Sequence, residues 1–157
     1  MKKGMRVEIS TEVPLRKSEA RRLKRSLVRM LDMLVRGKSL ELSVALVDEE
    51  AIRELNSRYL NNDEPTDVLA FPLMFPDELA KLDERAITSA EPLGDIVICI
   101  PVAARQAAER EENQFEEIEL LAAHGLLHLL GYEDETELGA GVMTATEKEL
   151  LGRSIVR

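Results

Sequence analysis

Residues 93–131 read LGDIVICIPVAARQAAEREENQFEEIELLAAHGLLHLLG. The opening octet, Leu93–Ile100, is a β-branched apolar run entered through Gly94, which predicts a buried strand. Pro101 suits the first turn of a helix that runs to about Glu112, and Phe115–Leu130 predicts a second helix stopped by Gly131. A strand feeding directly into helices sets the pattern for the rest of the chain. Met5–Ser10 alternates as a short strand until Pro14 breaks it. From Ser18, a good N-cap, Leu23, Leu27, Met30, Leu31 and Leu34 recur at helical spacing up to Gly37. Leu40–Val47 predicts a strand, and Asp48 caps a helix whose Ile52, Leu55 and Tyr59 share one side. Asn61–Thr66 is turn chemistry, Asp67–Phe71 a strand ended by Pro72, Leu73–Pro92 a long loop or flap, and Thr144–Val156 a final helix. Strands and helices are interspersed without a linker or repeat. The expectation is an α+β fold in one compact domain over residues 1–157, with an approximately four-stranded mixed sheet and about five helices.

The length of 157 residues suits one domain with a real core. With 45% apolar and 32% charged residues, the composition excludes a disordered or collagen-like chain. No apolar run approaches the roughly 18–20 residues that cross a bilayer, so no membrane association is expected. Aromatic residues are 3% with no Trp, which argues against a base-stacking platform. Cys99 is the lone cysteine, and Met1–Arg6 lacks the apolar core of a secretory leader, so the expected location is the cytoplasm. The formal net charge of −9 conceals an asymmetry: residues 1–38 carry 12 Lys and Arg against 4 Asp and Glu, and the remainder carries 9 against 26. A local excess of +8 attracts phosphate within a Debye length of about 8–10 Å even on an acidic protein. The basic helix presents Arg21, Arg22, Lys24 and Arg25 as candidate phosphate-binding residues. A solvated amphipathic face is the plainer reading of the same charges.

The chain has two histidines, His124 and His128, placed i and i+4 in one helix. That spacing stacks them on one face, so both imidazoles reach one point and can share a metal ion. Two imidazoles leave a four-coordinate Zn²⁺ short of ligands, and the turn at Gly131 leads into Tyr132-Glu133-Asp134-Glu135, any of whose carboxylates can fold back. A site of two histidines and a carboxylate with one open position follows from the metal reading; a polar, half-buried histidine pair followed by solvated acids is the plainer one. Gly125 is odd inside an apolar helix and implies close approach of a backbone or ligand there. In zinc proteases of the His-Glu-x-x-His kind that position holds the general base, so peptide hydrolysis is disfavoured. Cys99 reads as a buried strand residue rather than a ligand. Thr66, Asp67 and Asp95 lie at strand ends, where they either line a cleft or cap turns.

These residues carry a family resemblance. His124-Gly-Leu-Leu-His128-Leu-Leu-Gly131-Tyr132-Glu133-Asp134 resembles the H-G-x-L-H-L-x-G-Y-D-H signature of the YbeY family of endoribonucleases and ribosomal RNA maturation factors. Upstream, Leu55-Asn56-Ser57-Arg58-Tyr59 and Asp63-Glu64-Pro65-Thr66-Asp67-Val68-Leu69-Ala70-Phe71-Pro72 resemble its L-N-x-x-Y and D-x-P-T-D-V-L-S-F-P blocks, and Leu93–Cys99 its L-G-D-I-V-I-C strand. The resemblance implies a small α+β fold, one Zn²⁺ per chain, and single-strand-specific endoribonuclease activity. It also implies a part in ribosomal RNA maturation, including 3′-end processing of the small-subunit RNA, and in ribosome quality control, with single-stranded RNA, rRNA and the ribosome or its small subunit as partners. By similarity His124 and His128 are metal ligands and catalytic residues. The third family histidine falls on Asp134, giving a His₂Asp set and a weaker Lewis acid, with Glu133 and Glu135 as alternatives. Many members place an arginine at the position of Leu60, and Arg58, two residues earlier, is the candidate to replace it.

Two other functions share these residues: a non-catalytic ribosome-associated binding factor with a structural metal, and a metal-dependent hydrolase of another substrate. For RNA cleavage, the sequence leaves open whether water or a 2′-hydroxyl attacks phosphorus. No feature of the sequence sets an oligomeric state.

Overall fold

The computed structural model describes residues 4–82 and 90–155. Residues 83–89 of the expected loop, and Val156 of the expected last helix, lie outside them. Four strands form one sheet: β1 (Met5–Thr11), β2 (Leu40–Val47), β3 (Val68–Pro72) and β4 (Glu91–Cys99). Their spatial order is β1-β2-β4-β3, with β1, β2 and β4 parallel and β3 antiparallel to β4. Among the described residues six helices accompany it: α1 (Lys17–Leu34), α2 (Glu49–Leu60), α3 (Pro76–Ala80), α4 (Ile100–Glu109), α5 (Gln114–Leu129) and α6 (Glu137–Leu151). The single mixed α+β domain with four strands therefore holds, with one more helix than expected.

Period-two burial shows how the sheet is covered. Leu40, Leu42, Val44 and Leu46 of β2 are buried on one face together with Ile96 and Ile98 of β4. The apolar stripe of α1 and most of α5 close over that face, with Met143 and Leu150 of α6 at its border. Val97 and Cys99 of β4 point the other way and meet Ile52 of α2 and Leu69 of β3 in a smaller cluster. Leu93 is an extra residue in β4, since Glu41 pairs with Pro92 and Leu42 with Gly94. This bulge shifts the phase of the strand and lets both Leu93 and Ile96 enter the main core. Cys99 is fully buried, and burial pushes its thiol pKa up, as expected of a packing residue.

Several boundaries differ from the sequence reading, each for a local reason. Ser18 is not the cap of α1: Arg16 is the extended residue before the helix, its carbonyl accepts from Glu19 and Ala20, and Ser18 already lies in the first turn. Part of the expected flap is helical, because Pro76 supplies a preset first turn and Glu78 accepts from the Phe75 N–H at 3.1 Å. The last helix begins at Glu137 rather than Thr144. Thr136 caps it by accepting from the Gly139 N–H at 3.0 Å, and burial of Met143 and Leu150 outweighs the low helix propensity of Gly139 and Gly141. It ends at Leu151, with Gly152 as its left-handed cap, short of the expected Val156. Asp48 does cap α2, accepting from the Ala51 N–H at 2.9 Å. No helix among the described residues is long and apolar enough to cross a membrane.

Helix α5 positions the chemistry, and Gly125 sets how closely it lies on the sheet. A Cβ at this position would stand 2.9 Å from Ile96 Cγ2 and 3.3 Å from Val68 Cγ2. The close approach inferred from the sequence is therefore made by side chains of β3 and β4, neither a backbone nor a ligand. One turn on, the chain leaves α5 through Gly131, whose φ of 99° suits glycine. That bend returns residues 132–136 toward the helix.

Candidate metal centre

His124 and His128 occupy the last two turns of α5, stacked as their spacing requires, with ring centroids 4.6 Å apart and planes at 84°. Their Nε2 atoms face each other at 3.1 Å. Asp134 arrives from the turn after Gly131 and brings Oδ2 to 3.4 Å from His124 Nε2 and 3.7 Å from His128 Nε2. One ligand atom from each of the three lies within 4.8 Å of the others. Helical geometry alone joins the histidines, whereas Asp134 depends on the bend.

The opposite ring nitrogens decide what the cluster can bind. His128 Nδ1 lies 3.1 Å from the Tyr132 carbonyl, which can only accept, so Nδ1 carries the proton and Nε2 presents its lone pair. His124 Nδ1 lies 3.3 Å from Oε2 of Glu147, an acid with no exposed surface, so a proton placed on Nδ1 would face that oxygen and leave Nε2 free to ligate. With both rings in that tautomer, two lone pairs and a carboxylate oxygen converge, an arrangement that a cation satisfies. Ligand atoms about 2.0–2.1 Å from a tetrahedral ion stand about 3.3 Å from one another, close to the spacings here, so the donor set fits Zn²⁺. Exposure rises from Glu147 at 0% through His124 at 13% and His128 at 32% to Asp134 at 46%, which places the accessible side at Asp134.

The turn that delivers Asp134 is itself held. Glu133 Oε2 accepts from the Glu135 and Thr136 N–H groups at 2.8 and 3.0 Å, and Oε1 accepts from the Thr136 hydroxyl at 2.6 Å. These bonds, led by the Thr136 hydroxyl, hold the Glu133 carboxyl below its ordinary value. Glu133 thus serves the turn, while Asp134 faces the histidines.

Arg58 is not brought to the cluster: it pairs with Glu54 at 3.2 Å on the exposed face of α2, in a groove with Arg53 and Asp63. Asp67 does line a cavity with His124, whereas Asp95 faces a shallow groove over β1, β2 and β4. Arg21, Arg22, Lys24 and Arg25 are all exposed on α1. Arg22 stacks over the Phe115 ring at 4.1 Å, while Lys24 and Arg25 line a groove of about 470 Å³ with Val28, Arg29 and Arg36. Sequence reasoning missed Glu147, Arg110 and Glu117. The signal for Glu147 was an acid on the apolar stripe of α6 between Met143 and Leu150, and Glu117 likewise interrupts the buried face of α5 between Phe115 and Ile118.

Comparison with known proteins returns one family. The family model described as Endoribonuclease YbeY matches residues 7–154. A protein named Endoribonuclease YbeY from Thermobifida fusca is 40% identical over 149 residues, covering 94% of this chain and 92% of its own. One of the same name from Moorella thermoacetica is 46% identical over 113 residues, covering 71% and 70%. The solution structure of TM1509 from Thermotoga maritima superposes with a TM-score of 0.60 at 26% identity, covering 94% of this chain and 89% of that one.

Proposed function

The chain belongs to the YbeY endoribonuclease family, and on that premise we propose that it is a zinc-dependent endoribonuclease, one hydrolase domain over residues 1–157, that cuts single-stranded RNA. Its proposed setting is cytoplasmic ribosomal RNA maturation, including 3′-end processing of the small-subunit RNA, and ribosome quality control, with the ribosome or small subunit as partner. One observation carries the reading: ligand atoms of His124, His128 and Asp134 converge on one point.

Phosphodiester cleavage builds negative charge on the nonbridging and leaving oxygens. A bound Zn²⁺, held by His124, His128 and Asp134, supplies Lewis-acid stabilisation of that charge. The rest falls to the chain. The Tyr132 carbonyl, accepting from Nδ1, keeps His128 in the ligating tautomer, and Glu147 stands behind His124 where it would accept from Nδ1. Glu133 fixes the turn carrying Asp134. The exposed cations Arg21, Arg22, Lys24 and Arg25 draw the RNA backbone to the α1 side of the molecule.

Elemental analysis paired with cleavage of single-stranded RNA before and after chelation tests this. About one zinc per chain and activity lost on chelation are expected, and full activity in metal-free protein refutes the proposal. His128→Ala should lose metal and activity together. The product ends report the nucleophile, since a 2′,3′-cyclic phosphate identifies the 2′-hydroxyl. A structural ion is the second reading, favoured because the three ligands span α5 and the turn into α6. Under that reading chelation lowers Tm sharply; under the catalytic one the fold persists.

A further inference from the structure

Behind His124 the cleft wall carries a second group of side chains that the metal cluster does not use. A cavity of about 100 Å³ is bounded by Asp67, Arg110, Glu117, Leu120, Leu121 and His124. At about 30 Å³ per water this is room for roughly three waters or one tetrahedral oxyanion. Glu117 has no exposed surface, and Arg110, at the C-terminal end of α4, donates Nη1 to both of its oxygens at 2.8 and 2.7 Å. Burial pushes the Glu117 carboxyl up, and the guanidinium draws it back.

The anchor leaves Arg110 with donors to spare. Among the described residues its Nε and Nη2 have no side-chain partner, and its side chain keeps 29% exposure. A guanidinium tied through one nitrogen is a fork held at a fixed position, the arrangement that recognises a phosphate by paired N–H groups. Asp67, the other acid of the wall, is already engaged. Its Oδ1 accepts from the Val68 N–H at 2.7 Å and its Oδ2 from Gln106 Nε2 at 3.3 Å. Leu120 and Leu121 supply apolar wall, which strengthens any charge contact made there.

Resting on the endoribonuclease reading, we propose that Arg110 is a further substrate-binding residue, donating its free N–H edge to a nonbridging phosphate oxygen of the RNA strand beside the metal cluster, and that Glu117 is the residue that positions it. The cavity links the two sites because His124 belongs to both.

The paired variant Arg110→Gln/Glu117→Gln tests this without leaving a carboxylate buried and unmatched. Binding of a fluorescein-labelled 2′-O-methyl oligouridylate is followed by anisotropy across a KCl series, with zinc content and Tm measured on the same samples. Wild-type Tm and zinc content are expected, with affinity lowered about tenfold and the slope of log K against log salt reduced by about 0.7, the share of one phosphate contact on a single strand. Wild-type affinity and slope in a variant that keeps fold and metal overturn the assignment of Arg110 and leave the endoribonuclease reading standing. Wild-type protein that neither binds nor cuts RNA overturns both. Should the pair fail to fold, Arg110→Lys keeps a cation on Glu117 but removes the fork. A several-fold loss of affinity at unchanged Tm supports the proposal, and no loss overturns it.

Discussion

Replacing Gly125 with alanine tests the packing that places the metal centre. An alanine Cβ would stand 2.9 Å from Ile96 Cγ2 and 3.3 Å from both Ile96 Cγ1 and Val68 Cγ2. Carbon atoms prefer about 3.5–4.0 Å, so the closest contact falls short by roughly 0.6 Å or more. Ile96 is fully buried, and its Cγ2 branches at the stiff Cβ of a strand residue, so it cannot swing aside as a long side-chain tip would. Overpacking of this kind costs about 2 kcal/mol, within a usual range of about 1–3. Alanine also returns about 1 kcal/mol of helix propensity, because Gly125 sits inside α5 at ordinary helical dihedrals. The net effect is destabilisation by about 1 kcal/mol, or a Tm lower by about 2–4 °C for a chain of this size. The sign inverts when the obstacle is removed: in an Ile96→Ala background, Gly125→Ala should raise Tm by a similar amount over the single variant. Thermal unfolding of the four proteins of this cycle by circular dichroism provides the check. If Gly125→Ala stabilises the wild-type background, contact with Ile96 does not set the helix-to-sheet distance and the packing argument fails.

The remaining predictions concern the site and its turn. Glu147→Gln should weaken zinc binding about 10–100-fold, read by competition with a chromophoric chelator, because His124 loses the carboxylate behind Nδ1. Asp134→His should tighten zinc binding relative to wild type; unchanged affinity would move the third ligand elsewhere. Reversing charge at Arg21, Arg22, Lys24 and Arg25 should weaken binding of single-stranded RNA and flatten its salt dependence, with an unaltered slope removing α1 from the binding surface. Glu133, held below its ordinary 4.5 in the folded protein, contributes stability that is complete above that value and disappears as pH falls through the depressed one. Glu133→Gln should therefore lower urea midpoints at neutral pH and converge on wild type in acid, and a difference that persists undiminished at low pH would contradict the assigned hydrogen bonds.

Much of this protein is determined by the order of its residues within short windows. Helical geometry alone stacks His124 on His128, period-two alternation sets which face of β2 is buried, and Gly131 opens the bend that sends Asp134 back. Each is a contact between residues a few positions apart, where backbone dihedrals fix the distance. Other features depend on how finished elements dock. The order β1-β2-β4-β3, the seating of Gly125 on Ile96, the carboxylate of Glu147 behind His124 and the clamp of Glu117 on Arg110 all join separate segments. Arg58 pairs with Glu54 one turn earlier in the same helix, a contact that α2 makes by itself, and only the docking of α2 decides that this pair faces solvent. Local pattern supplied two ligands and a turn, whereas packing of α5 between sheet and α6 decided which buried acids stand behind them, because only the docked helices bring those distant side chains within hydrogen-bonding range.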